Sequence, residues 1–137
     1  MGSLNASEEL RRQLEAVGIA VESKPGTFLF RRGDRVSGVF LIATGCVRLG
    51  LEHDPAAFPS RNLGPGAVMG LPAALSDSTY GLSAEVVEDA QLIFVSYDRL
   101  LNLLRENPSL CFHAINILAQ ELVETRLALE RVRRGPG

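Results

Sequence analysis

The chain has 137 residues, of which 46% are hydrophobic and 22% charged, with a formal net charge of −2. That length suits one domain, and the composition supports a buried core while excluding wholesale disorder. The acidic balance argues against a free-standing nucleic-acid binder, which would carry a basic face.

The first nine residues are polar and lack the basic-then-apolar order of a signal peptide. No apolar run is long enough to cross a bilayer. Cytoplasmic residence without membrane attachment is the expectation.

A helix is expected over 5–18, capped by Asn5 with Glu8 three residues on, and with Leu10, Leu14 and Val17 on one face. Gly18 is its natural stop. Over 19–97 the pattern changes to short strands between turns. Pro25-Gly26, Arg32-Gly33-Asp34, Thr44-Gly45, Gly64-Pro65-Gly66 and Gly81 punctuate it. The strand-like runs are Phe28 to Phe30, Val39 to Ala43, Cys46 to Leu51, Arg61 to Leu63, Leu82 to Val87 and Gln91 to Val95. Leu51 to Ser60, with Pro55 and Pro59, reads as a hairpin loop. Gly33, Gly45, Gly64 and Gly66 are expected at sharp turns with positive φ. Many short strands with Gly/Pro turns predict a mainly β sandwich or roll with flanking helices.

A short helix is expected over 98–106. Asn107-Pro108 then opens a long one, Asn as N-cap and Pro at the first helical position. The long helix, over 107–134, would extend about 39 Å, more than a small β-domain needs. Cys111, Ile115, Leu118, Leu122, Thr125, Leu129 and Val132 alternate spacings of four and three, the a/d repeat of a two-stranded coiled coil. Phe112, Ala119 and Val123 form a second stripe, expected to lie on the β-domain. One domain can hardly cover both stripes, so the seam is expected to meet a second copy of itself. Thr125 is its single polar position.

Cys46 and Cys111 cannot build a four-thiolate site within one chain, and two reduced, mostly buried thiols are expected. His53 and His113 do not share a strand pair, so a metal enzyme of the roll type, which needs several imidazoles on one metal, is not expected. No nucleophile–base pair appears. No catalytic residue, metal or other cofactor, haem included, is predicted.

Four stretches in order carry a resemblance. They are Pro25 to Asp34; Val39 to Leu49, with Gly45 between two strand-like runs; Leu63 to Gly70 followed by Ser83 to Val86; and Asn107-Pro108. Together they resemble the cyclic-nucleotide-binding domain of the catabolite-activator (CRP/FNR) family of bacterial regulators, over almost the whole chain. The resemblance implies a β-roll (jelly roll) of that type followed by a C-terminal dimerisation helix, in a sensor or regulatory module. It implies a ligand inside the roll against a cassette that here runs from Gly70 to Ala84.

In the cyclic-AMP readers of the family, a Glu accepts the ribose hydroxyl and an Arg clamps the cyclic phosphate. Here those positions are Leu71 and Leu82. Pro72 removes one backbone N–H, while Ser83 and Ala84 keep the pattern. A phosphate there would lose charge-assisted hydrogen bonds of about 1.5–3 kcal/mol each. The candidate ligand residues are Gly70, Leu71, Pro72, Ala73, Leu82, Ser83, Ala84, Thr125 and Arg126, lining a degenerate pocket not expected to hold cyclic AMP or cyclic GMP tightly. An apolar or smaller effector fits that rim better. Ser76 to Tyr80 read as a polar loop over the pocket, a plain surface turn with a lid as the alternative. The family's helix-turn-helix finds no counterpart after Arg134, so direct nucleic-acid binding is not expected of this chain. A ligand-free dimerisation scaffold and a regulator cut before its reader are the alternatives.

Overall fold

The computed structural model describes residues 6–51 and 60–134; at positions 124, 125 and 128–134 it describes the backbone alone. The expected cap Asn5 and the expected hairpin loop, with His53, lie outside the described residues.

Helix α1 spans Glu8–Val17. Its N-cap is Ser7, whose Oγ accepts the Leu10 N–H at 3.3 Å, and Glu8 and Glu9 place negative charge at the positive end of the helix dipole. Leu10 and Leu14 are buried.

Six strands follow: β1 Ile19–Ser23, β2 Phe28–Phe30, β3 Gly38–Gly50, β4 Arg61–Leu63, β5 Val68–Met69 and β6 Ser83–Ser96. All pairings are antiparallel. The path runs β1-β6-β3-β4, with β2 also on β6 and β5 also on β3. The two longest strands therefore carry every other one. Their inward side chains, among them Val39, Leu41, Ile42, Val47, Val86, Leu92 and Val95, make the core.

The turn expected at Thr44-Gly45 does not exist. β3 continues through it as a bulge, where the register against β6 shifts between Ile42 and Val47. Gly45 holds a φ of +97° there. A Cβ would press on the Asp89 carbonyl oxygen and lie 2.6 Å from the Ala90 Cα. The residue needs both the left-handed backbone and the missing side chain. The two runs expected around Glu88 are likewise one strand, β6. Gly33 and Gly66 take the expected positive φ, but Gly64 does not.

Helix α2, Leu71–Ser76, interrupts the strands. Helix α3 spans Tyr97–Glu106, capped by Ser96, whose Oγ accepts the Arg99 N–H. Helix α4 spans Leu110–Arg134. Asn107 does not cap α4. Its Nδ2 and backbone N–H both donate back to the Leu103 carbonyl oxygen, at 3.1 and 3.0 Å, so the side chain closes α3 instead. Bonds from Leu110, Cys111 and Phe112 N–H to the carbonyls three residues earlier start α4.

The face of α4 that meets the domain carries Leu110, Ala114 and Ile117, all buried, with Leu118 packed beside them. Phe112 and Val123, expected against the domain, are exposed instead, 72% and 44%, as is Ala119. The stripe that docks begins one residue before the expected seam. It carries Leu110, Ala114 and Ile117, and Phe112 lies off it.

Neither cysteine is buried. Cys46 is partly covered, its thiol pushed above the usual value by burial and then by Glu88, and Cys111 is exposed; both are free thiols.

Candidate functional site

The cassette between β5 and β6 begins at Gly70, whose φ of +90° turns the chain from strand into helix. Pro72 sits in the first turn of α2, where its missing N–H has no helical partner to lose. The first turn holds no acidic or basic side chain. Asp77, at φ +49°, ends the helix and turns its carboxylate to Arg35, 3.7 Å away.

The chain then returns to the roll through Tyr80, which is buried although sequence patterning assigned it to a polar surface turn. Its ring stacks on Phe30 at 3.9 Å between centroids and 13° between planes. Its hydroxyl accepts the Ser37 and Gly38 N–H groups at 3.1 and 3.2 Å and donates to the Gly38 carbonyl at 2.8 Å. This one side chain fastens the cassette to the start of β3. No periodicity marks it; a lone aromatic among Ser, Asp and Thr was the available signal.

Between the cassette, the sheet and α4 lies a cavity of about 400 Å³. Phe30, Leu49 and Leu51 form its sheet wall, and Gly70, Pro72 and Ala73 its α2 wall. Tyr80, Gly81 and Leu82 close the loop side, Arg32 enters from the turn after β2, and Glu121 from α4.

The candidate residues separate into three groups. Gly70, Pro72, Ala73 and Leu82 line the cavity. Leu71 and Ala84 do not: they are 2% and 0% exposed and belong to the core. Leu71 opens the helix on its buried side, the same side as Ala74. Ser83 is also buried; its Oγ accepts the Arg32 backbone N–H at 2.8 Å, and it borders a smaller cleft beside Arg48 and Glu85, which form an ion pair. Arg126 is exposed, and the Thr125 side chain lies outside the described residues.

Sequence reasoning missed Phe30, Arg32, Leu49, Leu51, Tyr80, Gly81 and Glu121. Arg32 and Glu121 matter most, because they are the two charged residues among the described residues that line the cavity. Burial raises the Glu121 carboxyl above its ordinary value, with Arg61 pulling the other way. Among the described residues no cluster of three or more metal-ligating side chains occurs, and no helix is long and apolar enough to cross a membrane.

An antiparallel roll with a helical cassette laid over an open cavity of about 400 Å³ defines a β-roll domain. The family model described as cyclic nucleotide-binding domain matches residues 20–107, and the chain belongs to that family.

Among curated proteins, the "Cyclic AMP receptor protein" of Thermus thermophilus is 31% identical over 106 residues, 77% of this chain and 49% of that protein. The "Anaerobic regulatory protein" of Bacillus subtilis is 26% identical over 118 residues, 85% of this chain and 50% of that protein. The chain thus spans about half the length of the curated relatives it matches.

Among solved structures, the Thermus thermophilus catabolite activator protein superposes with a TM-score of 0.74 at 28% identity, covering 90% of this chain and 59% of that one. A structure described as "A cyclic-GMP-dependent signalling pathway regulates bacterial phytopathogenesis" gives 0.75 at 25% identity, covering 87% and 95%. The roll with flanking helices is therefore the fold expected from the sequence, and the relatives are of the catabolite-activator type.

Proposed function

We propose that this domain is a non-catalytic sensor module whose cavity takes an effector other than cyclic AMP or cyclic GMP held in the standard way. The observation that carries this reading is the fate of the two replaced positions. Leu82 presents a hydrocarbon to the cavity where the resemblance implies a phosphate clamp, and Leu71 faces the core where it implies a ribose acceptor. A buried phosphate without a charge partner pays desolvation with little return. The cavity itself weighs against a roll that serves only as a scaffold.

Titration calorimetry with cyclic AMP and cyclic GMP tests it. Weak or undetectable heats are expected. Micromolar or tighter binding, about −8 kcal/mol, overturns the reading.

One observation favours a second reading: Arg32 lines the cavity and supplies a cation from a different place. If Arg32 holds a cyclic phosphate, tight binding in the titration disappears in Arg32→Gln.

The exposed apolar side chains of α4 support pairing with a second copy, and the signal would leave the domain through that helix. Cytoplasmic residence belongs to the same proposal, as does action without direct nucleic-acid contact by this chain. So does the alternative that this domain is the effector half of a longer transcription regulator.

A further inference from the structure

Two charged residues line one apolar cavity, and among the described residues neither makes an ion pair. Glu121 is half-buried on α4 and lines the cavity, and among the described residues it has no hydrogen bond or ion pair. Desolvation acts against its charged form, and Arg61 offsets this only in part. Arg32, an exposed residue, lines the same cavity from the turn after β2. Its backbone N–H is held by Ser83, but its guanidinium has no carboxylate within ion-pair distance among the described residues. Some exposed charges elsewhere on the domain do pair, as Arg11 with Glu15, Arg12 with Glu9, Arg35 with Asp77 and Arg48 with Glu85, while others, such as Glu22, Asp98, Arg105 and Glu106, carry no ion pair among the described residues.

A half-buried carboxylate facing hydrocarbon costs stability unless something compensates it, and here compensation would come from a guest. The remaining wall sets the rest of that guest. Phe30, Leu49 and Leu82 offer apolar contact, and Tyr80, its hydroxyl already engaged, offers a ring.

We propose that this cavity takes a small zwitterion with an apolar body, its anionic group on the Arg32 guanidinium and its ammonium on the Glu121 carboxylate. The inference rests on the reading of the cavity as an effector site. It also gives Glu121 a second role, since a phosphate entering the cavity would meet that carboxylate.

Calorimetry with probes sharing one aromatic body tests it. Phenylalanine and para-(aminomethyl)benzoate carry both charges, adjacent and separated. Hydrocinnamate carries only the anion, phenethylamine only the cation, and phenethyl alcohol neither. At least one zwitterion is expected to bind about tenfold or more tighter than either singly charged probe. In Arg32→Gln that zwitterion should fall to the level of phenethylamine, and in Glu121→Gln to that of hydrocinnamate, with circular dichroism confirming that both variants fold.

A zwitterion no tighter than the better singly charged probe overturns the proposal, as does retention of its advantage in both variants. Equal binding of all five probes, with cyclic AMP not bound, removes the charge pairing but leaves the effector site standing. Failure of all five alongside tight cyclic AMP binding removes both readings.

Discussion

Tyr80 carries more of this site than any other single residue, because one hydroxyl serves three backbone groups at once. Two N–H groups, from Ser37 and Gly38, and the Gly38 carbonyl meet there in buried surroundings. In Tyr80→Phe the stack on Phe30 remains while the backbone groups lose their partner. Each orphaned buried group costs about 1–3 kcal/mol. Urea denaturation should therefore show a loss of at least about 1 kcal/mol, and an unchanged midpoint would mean that water replaces the hydroxyl.

Glu121 sits on the opposite side of the balance. Burial raises its carboxyl in the folded domain, so the folded state holds its proton more strongly than the unfolded chain does. Stability on this account is highest below the unfolded value of about pH 4 and falls as pH rises through the raised folded value. Glu121→Gln removes that penalty. Its melting temperature should exceed the parent's at neutral pH, and the difference should shrink as the pH is lowered towards 4. A difference independent of pH would show that the carboxylate is solvated after all.

Elements differ in how plainly the sequence announces them. β2, β4, α1 and α3 were legible because alternation and capping act over a few residues: Phe28–Phe30 and Arg61–Leu63 occur with the bounds read from the chain, whereas Ile19–Ser23 and Val68–Met69 were not read as strands. The break expected at Thr44-Gly45 shows the limit of local reading. A glycine with positive φ marks a turn and a bulge equally, and only the partner strand decides which, here through the approach of Asp89 and Ala90. α2 was legible only as part of the family cassette, since six residues with a Pro at the start have no measurable period. Of the site, the α2 wall and Leu82 were visible in order along the chain. Arg32 and Glu121 were not, because they are brought to the cavity from positions 89 residues apart in the numbering, 121 minus 32.

For α4 the stripe of Phe112, Ala119 and Val123, expected on the domain, is exposed, while of the heptad seam Leu118 packs against the core. The domain takes Leu110, Ala114 and Ile117, which leaves Phe112, Ile115, Leu122, Val123 and Leu127 exposed, Phe112 and Leu122 by 72% and 71%. A run of large apolar groups along one helix is more than a monomer commonly leaves in water. If α4 pairs with a second copy, Leu122→Glu places a charge at the contact without touching the core. Sedimentation should show a dimer converted to monomer, or a dissociation constant raised by about tenfold or more. A parent chain that sediments as a monomer at high concentration would refute the pairing.

At the scale of the whole molecule, the two leucines at the positions where the resemblance implies a ribose acceptor and a phosphate clamp are not equivalent, because the cavity wall separates them. Leu71 lies on the core side at 2% exposure and Leu82 on the cavity side. Leu71→Glu would bury a carboxylate among hydrocarbons, with an expected cost of about 4 kcal/mol or more, enough to consume much of a small domain's stability. Leu82→Arg instead extends a guanidinium into a space of about 400 Å³ that already holds a carboxylate, Glu121, so the fold should survive.

If loss of the clamp is what removed cyclic-nucleotide binding, Leu82→Arg restores it in part. Thermal unfolding would then respond to cyclic AMP where the parent does not. A ligand at one hundred times its dissociation constant stabilises the folded state by about 2.7 kcal/mol. The ribose side remains unserved while Leu71 faces inward, so the regained affinity should stay short of micromolar, and the response should appear only at millimolar cyclic AMP. A melting temperature indifferent to cyclic AMP at that concentration would place the cause of non-binding elsewhere in the cavity, with Glu121 the first residue to replace alongside Leu82.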